Sequence, residues 1–189
     1  EAPRLADGEL RVVTRNSPDA YYLGSHGPEG PAYELASRFA ESLGVPLRLY
    51  TVRTREAAIA EVAAGRAHLA AAGLSTGIEL PPGTQFGPGY QLVREHLVYR
   101  RRSSRPSDIV TAAVGQIEVA SGSAHARTLD DLRLQHPDLA WIERDDTDTE
   151  EILADVSQGR VQYTLASSTE FALNRSVHPE LAIALDLSP

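Results

Sequence analysis

Two stretches decide how this chain is read: VAAGRAHLAAAG, residues 62–73, and VSQGRVQYTLAS, residues 156–167. Val62, Gly65, Arg66 and Ala72 of the first fall on Val156, Gly159, Arg160 and Ala166 of the second. In each, a helical pattern is stopped by a glycine and followed by an apolar run of strand length. A second pair agrees in pattern, GELRVV from Gly8 with GQIEVA from Gly115. Each half reads strand, helix, strand, helix, strand. That alternation predicts parallel sheets covered by helices. Two similar halves predict two α/β lobes, with one doubly wound sheet as the alternative.

Working outward, strands are expected over Leu10–Thr14, LRLYTV, Ala67–Leu74 and Glu95–Arg100 in the first part of the chain. PAYELASRFAESLG is a helix with Pro31 in its first turn, Leu35, Ala36, Phe39, Ala40 and Leu43 on one face, and Gly44 as its stop. TREAAIAEVAAG is a helix capped by Thr54 and ended by Gly65. SPDAYYLGSHGPEG and RRSSRPSD read as loop or turn. In the second half GQIEVAS, LAWIE, VQYTLA and LAIALDL are strands, and SSTEFALNR is a helix. TLDDLRLQH is a helix with Thr128 and Asp131 spaced like a capping box. TDTEEILADVSQG is a helix with Thr147 as cap, Glu150 at the reciprocal position and Gly159 at its end. The lobes are drawn as residues 1–99 and 100–189.

Composition narrows the function. A net charge of −8 disfavours nucleic-acid binding, which needs a basic footprint. With no Cys there is neither a disulfide nor a thiolate metal site. No apolar run is long enough to span a membrane, and no signal peptide is visible. The chain starts at Glu1 and holds no Met, so it reads as a processed or excised piece.

In α/β sheets of this kind ligands bind beyond the carboxyl ends of the strands. Two lobes place an interlobe cleft there, walled by GLST after Ala72 and by SST after Ala166. Candidate ligand groups are Arg15, Asn16 and Tyr21 after the first strand, Gly73, Ser75 and Thr76 after the third, and Tyr90 in the loop beyond. In the second half they are Gly122, Ser123 and Ser167. Tyr21 and its neighbour Tyr22 offer a ring to an apolar group or pack on their own lobe. Gly122 and Ser123 precede a helix whose free N–H groups suit an anion, or Ser121 or Ser123 is a plain N-cap.

Catalytic and metal motifs are weak. Ser123, His125 and Asp130 match no nucleophile elbow. The six His show no H-E-x-x-H. DDTDTEE lacks the alternation and central glycine of a calcium loop and reads as a helix start. GSHGPEG is a weak phosphate-loop signal. No metal and no cofactor is expected.

GELRVVTRNSPDAYY, GPAYELASRFAESLGVPL, AAAGLSTGIE, GSAHARTLDDLRLQHPDLAW and HPELAIALDL together resemble bacterial solute-binding proteins of the amino-acid-binding type. More closely, they are similar to the N-terminal module of membrane-bound lytic transglycosylases. The resemblance implies a type II periplasmic-binding-protein-like fold, two-lobed and hinged, with parallel-rich sheets flanked by helices. It implies a periplasmic location, in a parent attached to the outer membrane. It also implies a partner, a covalently linked catalytic domain that cleaves peptidoglycan and has no counterpart here. On this reading the chain is no enzyme, senses a small molecule, amino acid or muropeptide, and lacks a return strand and helix of its first lobe. The stretch near Arg94–Arg100 then carries most of the hinge.

In the amino-acid-binding relatives an Arg after GLST clamps the ligand carboxylate. The matching positions, Ile78 to Leu80, hold none. An Asp that holds the ligand ammonium is replaced by Ser167, and the family's helix-start Asp by Ala32. Charge-assisted hydrogen bonds contribute about 1.5–3 kcal/mol each. Losing two weakens a free amino acid by about 100-fold or more. Arg15 either replaces the clamp or forms a salt bridge. Three further readings stay open: an importer's binding protein, a docking module without ligand, and a dehydratase-like enzyme using Glu79 or Glu170.

Overall fold

LRVVTR becomes β1 (Leu10–Arg15) because its alternate residues have two apolar faces to fill. Val12 and Val13 point to opposite sides of the sheet and both are fully buried. The computed structural model describes residues 8–188 apart from Asp19, His26, Gly77 and Gly115. Gly115 and His26, named above as the start of the second repeat and as part of GSHGPEG, therefore lie outside the described residues. The described chain forms two units: residues to Ser75 with Glu79–Gly87, and Thr76–Ile78 with Pro88 onward.

In the first unit β1 is followed by a short hairpin of β2 (Tyr22–Gly24) and β3 (Gly27–Glu29), then α1 (Pro31–Leu43), β4 (Leu47–Val52), α2 (Arg55–Ala63) and β5 (Leu69–Ala70). The sheet order is β4-β1-β5, parallel throughout, in register Val12↔Leu49 and Val12↔Leu69. The hairpin lies where a loop was expected. Its strands are three residues each, too short for an alternation to show. The strand expected over 67–74 shrinks to Leu69–Ala70. Its flanks stay tied to β1 by His68 N–H to Arg11 O and Ala71 N–H to Val13 O, both 2.9 Å.

The helices cover the two faces. Ala36 and Ala40 of α1 pack with Leu10 and Val12, while Ala58 of α2 packs with Val13, Ala67 and Ala72. The apolar face of α1 is rotated from expectation. Ala32, Ala36 and Ala40 are buried, and Leu35 and Phe39 are 47% and 45% exposed. Alanines one turn apart let the helix approach the sheet closely, and the larger side chains flank that seam. Gly44 ends α1 in the left-handed region, φ 67°, where glycine has no Cβ penalty.

The second unit contains β6 (Glu95–Arg100), α3 (Ile109–Ala112), β7 (Glu118–Ala120), α4 (Ala124–Arg133), β8 (Ile142–Arg144), α5 (Thr149–Gln158), β9 (Tyr163–Ser167), α6 (Ser168–Val177) and β10 (Leu181–Asp186). β6 lies between β10 and β9 and is antiparallel to both. β7 pairs in parallel with β8, and an Ile117–Tyr163 parallel bridge joins that pair to β9. Residues 88–99, drawn above into the first lobe, thus group with the second unit, because β6 is hydrogen-bonded on both edges there. Leu129 of α4 and Ile109 of α3 pack on one face with Leu97, Ile117 and Leu165. Ile152, Leu153 and Val156 of α5 and Phe171 of α6 pack on the other with Val98 and Leu181.

Two helix starts differ from expectation. Ser123 caps α4 by accepting from Ala126 N–H at 3.2 Å, so Thr128 lies inside the helix and donates to Ala124 O. The N-cap of α5 is Asp148, and the Thr147 hydroxyl donates to Asp145 O instead. At α4 an earlier polar residue satisfies the helix start, and at α5 the helix begins one residue later than expected. Among the described residues no helix is long and apolar enough to cross a membrane.

Candidate functional site

Parallel strands deliver their last residues to one edge of a sheet, and each unit has such an edge. In the first unit β1 ends in Arg15, which is 2% exposed, and continues to the exposed Asn16. Asn16 bridges to Tyr21, whose ring stands edge-on to Tyr33 of α1 at 6.0 Å. The Tyr21 ring therefore packs on its own unit. Beside β1, the turn after β5 holds Gly73 at φ 65°, with its carbonyl accepting from Arg55 Nε at 3.3 Å. Ser75 is half-buried there. These candidates share the edge. Thr76 is exposed and groups with the second unit, as does Tyr90, which is 65% exposed in an irregular segment.

In the second unit the edge is built from the ends of β7, β8 and β9 and the beginning of β6. Gly122 takes φ 66° and donates its N–H to Glu143 Oε2 at 3.4 Å. Ser123 and Ser167 cap α4 and α6, and Ser167 forms a full capping box with Glu170. A capping hydroxyl accepts from the helix and still has its own proton to donate. Ser123 and Ser167 thus each keep a hydroxyl proton to donate, on an oxygen held in place by the cap. Gln91 Nε2 donates to Thr169 Oγ1 at 2.9 Å and Arg94 N–H to Ser168 Oγ at 3.2 Å, so the segment after Tyr90 runs along the start of α6.

Sequence reasoning missed the densest ionic group of this edge. His125, 6% exposed, sits in the first turn of α4. Its Nδ1 is hydrogen-bonded to Glu95 at the start of β6, and its Nε2 lies 3.1 Å from Glu170 Oε2. Burial opposes a charge on this ring, but Glu170 and Glu95 outweigh it and raise the pKa from 6.5 to about 10. Only the Ser167–Glu170 part was readable, from the S-x-x-E spacing. Ser123, His125 and Asp130 form no catalytic triad, since Ser123 is a cap, His125 is held by two glutamates and Asp130 pairs with Arg133 at 2.7 Å. Glu170 is buried in its capping box, and Glu79 is exposed. Among the described residues no cluster of His, Cys, Asp or Glu is arranged to hold a metal ion.

No protein-family model matches the chain. Curated relatives do. It is 40% identical over 185 residues to membrane-bound lytic murein transglycosylase F of Pectobacterium atrosepticum, covering 97% of this chain and 38% of that protein. It is 41% identical over 184 residues to the protein of the same name from Yersinia enterocolitica, with the same coverage. Over nearly its whole length the chain is thus similar to a part of proteins named membrane-bound lytic murein transglycosylase F. It spans under two fifths of the length of these relatives.

Solved structures agree on the fold. An ancestral arginine-binding protein bound to arginine superposes with a TM-score of 0.78 at 17% identity, covering 95% of this chain and 79% of that one. The amino acid transporter substrate-binding protein AbpA of Streptococcus pneumoniae, bound to L-arginine, gives 0.71 at 21%, covering 95% and 76%. The fold of this transglycosylase F relative is therefore that of type II, amino-acid-type solute-binding proteins.

Proposed function

We propose that the chain is the N-terminal, non-catalytic ligand-sensing module of a peptidoglycan lytic transglycosylase. It recognises a cell-wall-derived peptide at the carboxyl ends of its strands and regulates a covalently linked catalytic domain. The parent is placed in the periplasm, attached to the outer membrane. The observation that carries this reading is the 40% identity to lytic transglycosylase F over 97% of the chain, on a solute-binding fold. The chemistry of the edges supports it. The first unit offers the Gly73 turn and the half-buried Ser75 at its strand ends. The second offers the capped hydroxyls of Ser123 and Ser167. An extended peptide can engage donors spread along one such edge, while a free amino acid depends on two ionic grips. No Arg stands at Ile78 to Leu80 and no acid at Ser167.

The test is a thermal-shift and calorimetric titration with a disaccharide tetrapeptide, the free tetrapeptide and single amino acids. Peptide-bearing fragments are expected to raise Tm at millimolar concentration or below, and single amino acids to leave it unchanged. No shift with any cell-wall fragment at millimolar levels ends the sensing reading.

A further inference from the structure

The ligand reading leaves Glu95, His125 and Glu170 unused, although they lie at the edge where it places the ligand. Glu95 opens β6 and pairs across the sheet with Ser167, the last residue of β9. Glu170, in the first turn of α6, reaches back to accept from Ser167 N–H at 2.8 Å. The imidazole of His125 stands between the two carboxylates, facing one with each nitrogen. We propose that His125 is an internal counter-cation: bonded to both Glu95 and Glu170, it neutralises one of their two charges and so weakens their pull on a ligand's ammonium group, which sets the module's specificity against free amino acids. The inference rests on the ligand reading for the role of the edge, and on geometry for the rest.

Two carboxylates facing the two ring nitrogens favour a charged ring. A neutral imidazole has one N–H and one lone pair, so one nitrogen would turn its lone pair on a carboxylate oxygen. The imidazolium donates to both. Burial and a position in the first turn of a helix both work against a cation there, and the two carboxylates override them, as the raised pKa of about 10 expresses. Several charged groups of the surrounding elements have partners of their own, and the buried His96 of β6 faces Asp186 at 3.7 Å. Glu118 of β7 lies 3.7 Å from Arg144 of β8, Asp186 of β10 pairs with Arg94 at 3.2 Å, and Glu143 accepts from Gly122 N–H. On α4 itself Arg127 pairs with Asp131 and Arg133 with Asp130.

Specificity follows from position. Ser167 supplies no carboxylate at the strand end, and the acid closest in sequence on α6, Glu170, is already bonded to His125 and to the Ser167 amide. A ligand ammonium arriving at this edge meets a carboxylate pair with one of its two charges already neutralised inside the unit. Removing the ring returns two carboxylates and leaves a space the size of an imidazole.

The experiment has three arms on the whole chain. In the first, the imidazole 15N shifts of His125 are followed from pH 5 to 9. Both nitrogens are expected to stay protonated at pH 8, and a titration near 6.5 overturns the proposal. In the second, stability is measured against pH. A folded pKa raised from 6.5 to about 10 gives stability that is full below 6.5 and lost as pH rises through 10. Glu170→Gln keeps an acceptor for the Ser167 amide and is expected to lower the His125 pKa by about one unit or more; an unchanged value overturns the clamp. In the third, His125→Ala and His125→Gln are titrated with free arginine and leucine. At least a tenfold gain in affinity over the native chain is expected for His125→Ala. A folded variant without any gain overturns the specificity role, as does a native chain that binds these amino acids equally well. The third arm uses amino acids alone. A native chain that ignores every cell-wall fragment therefore ends the ligand reading and leaves this comparison decisive.

Discussion

Residues 61–73 and 155–167 follow the same course and end differently. In both, an acid lies five positions before an arginine, Glu61 with Arg66 and Asp155 with Arg160, and each pair is joined through its side chains. In both, a glycine in the left-handed region closes the helix, and the arginine N–H returns to the carbonyl of that same acid, at 3.0 and 2.9 Å. The strands that follow are filled differently. Ala67, Leu69 and Ala71 of the first correspond to Val161, Tyr163 and Leu165 of the second. The first run ends at Gly73, a bare turn, and the second at Ser167, which caps a helix at once. The turn is thus set by the left-handed glycine and the returning N–H, with an ion pair repeated beside it, while core volume and strand-end chemistry differ between the two. The same turn therefore serves an alanine-lined sheet and a sheet packed with large aliphatic side chains.

The core difference gives the largest expected effect. Leu165 is fully buried against α4 and β7, whereas its counterpart Ala71 is already small. Leu165→Ala deletes buried methyl groups and leaves a cavity, at a cost of about 2–5 kcal/mol. Denaturant unfolding, with hydrogen exchange to assign the loss to the second unit, checks this. A cost below about 1 kcal/mol means the second strand does not depend on its bulk, and the contrast between the repeats fails.

Next comes the shared glycine. Gly65 has φ 70° and Gly159 has φ 77°. An alanine in that region costs about 1–2 kcal/mol through its Cβ. At Gly65 nothing lies within 4 Å of the added carbon, and at Gly159 the nearest atom is Arg100 Nη1 at 2.9 Å, the movable tip of an exposed side chain. Gly65→Ala and Gly159→Ala are therefore expected to cost nearly the same, measured as paired shifts in denaturation midpoint. A much larger loss at Gly159 means that the surroundings, not the backbone, set the second turn.

This contrast also explains what the sequence could disclose. Local features were legible because their causes are local. Gly44 and Gly159 as helix stops, Thr54 as cap of α2, and the strand at Leu10 each depend on neighbours within a turn. The direction of β6 was not legible, since apolar periodicity is the same in parallel and antiparallel strands. Nor was the rotated face of α1, where close helix–sheet approach favours Ala36 over Leu35. At the candidate edge, Ser123 and Ser167 were readable as strand-end hydroxyls. The bond from Glu95 to His125 spans 30 residues and joins separate elements. No spacing rule reaches that far, and the strand around Glu95 reads as ordinary sheet.

The smallest expected effect tests the ion pairs. Arg66 and Arg160 have side chains 61% and 58% exposed, so water and salt screen what they contribute. Their acids also keep other partners. Glu61 accepts from the Tyr50 hydroxyl at 2.9 Å, and Asp155 from Arg144 at 2.6 Å. Arg66→Ala is expected to move Tm by no more than about 2 °C, and by less in high salt. The carboxyl of Glu61, held below its usual value by hydrogen bonds from Arg66 and Tyr50, is expected to titrate higher in that variant by NMR. Arg160→Ala is expected to behave alike, because Arg144 continues to hold Asp155. A large Tm loss in either variant would make the arginine, rather than the left-handed glycine and the returning N–H, the element that shapes the turn.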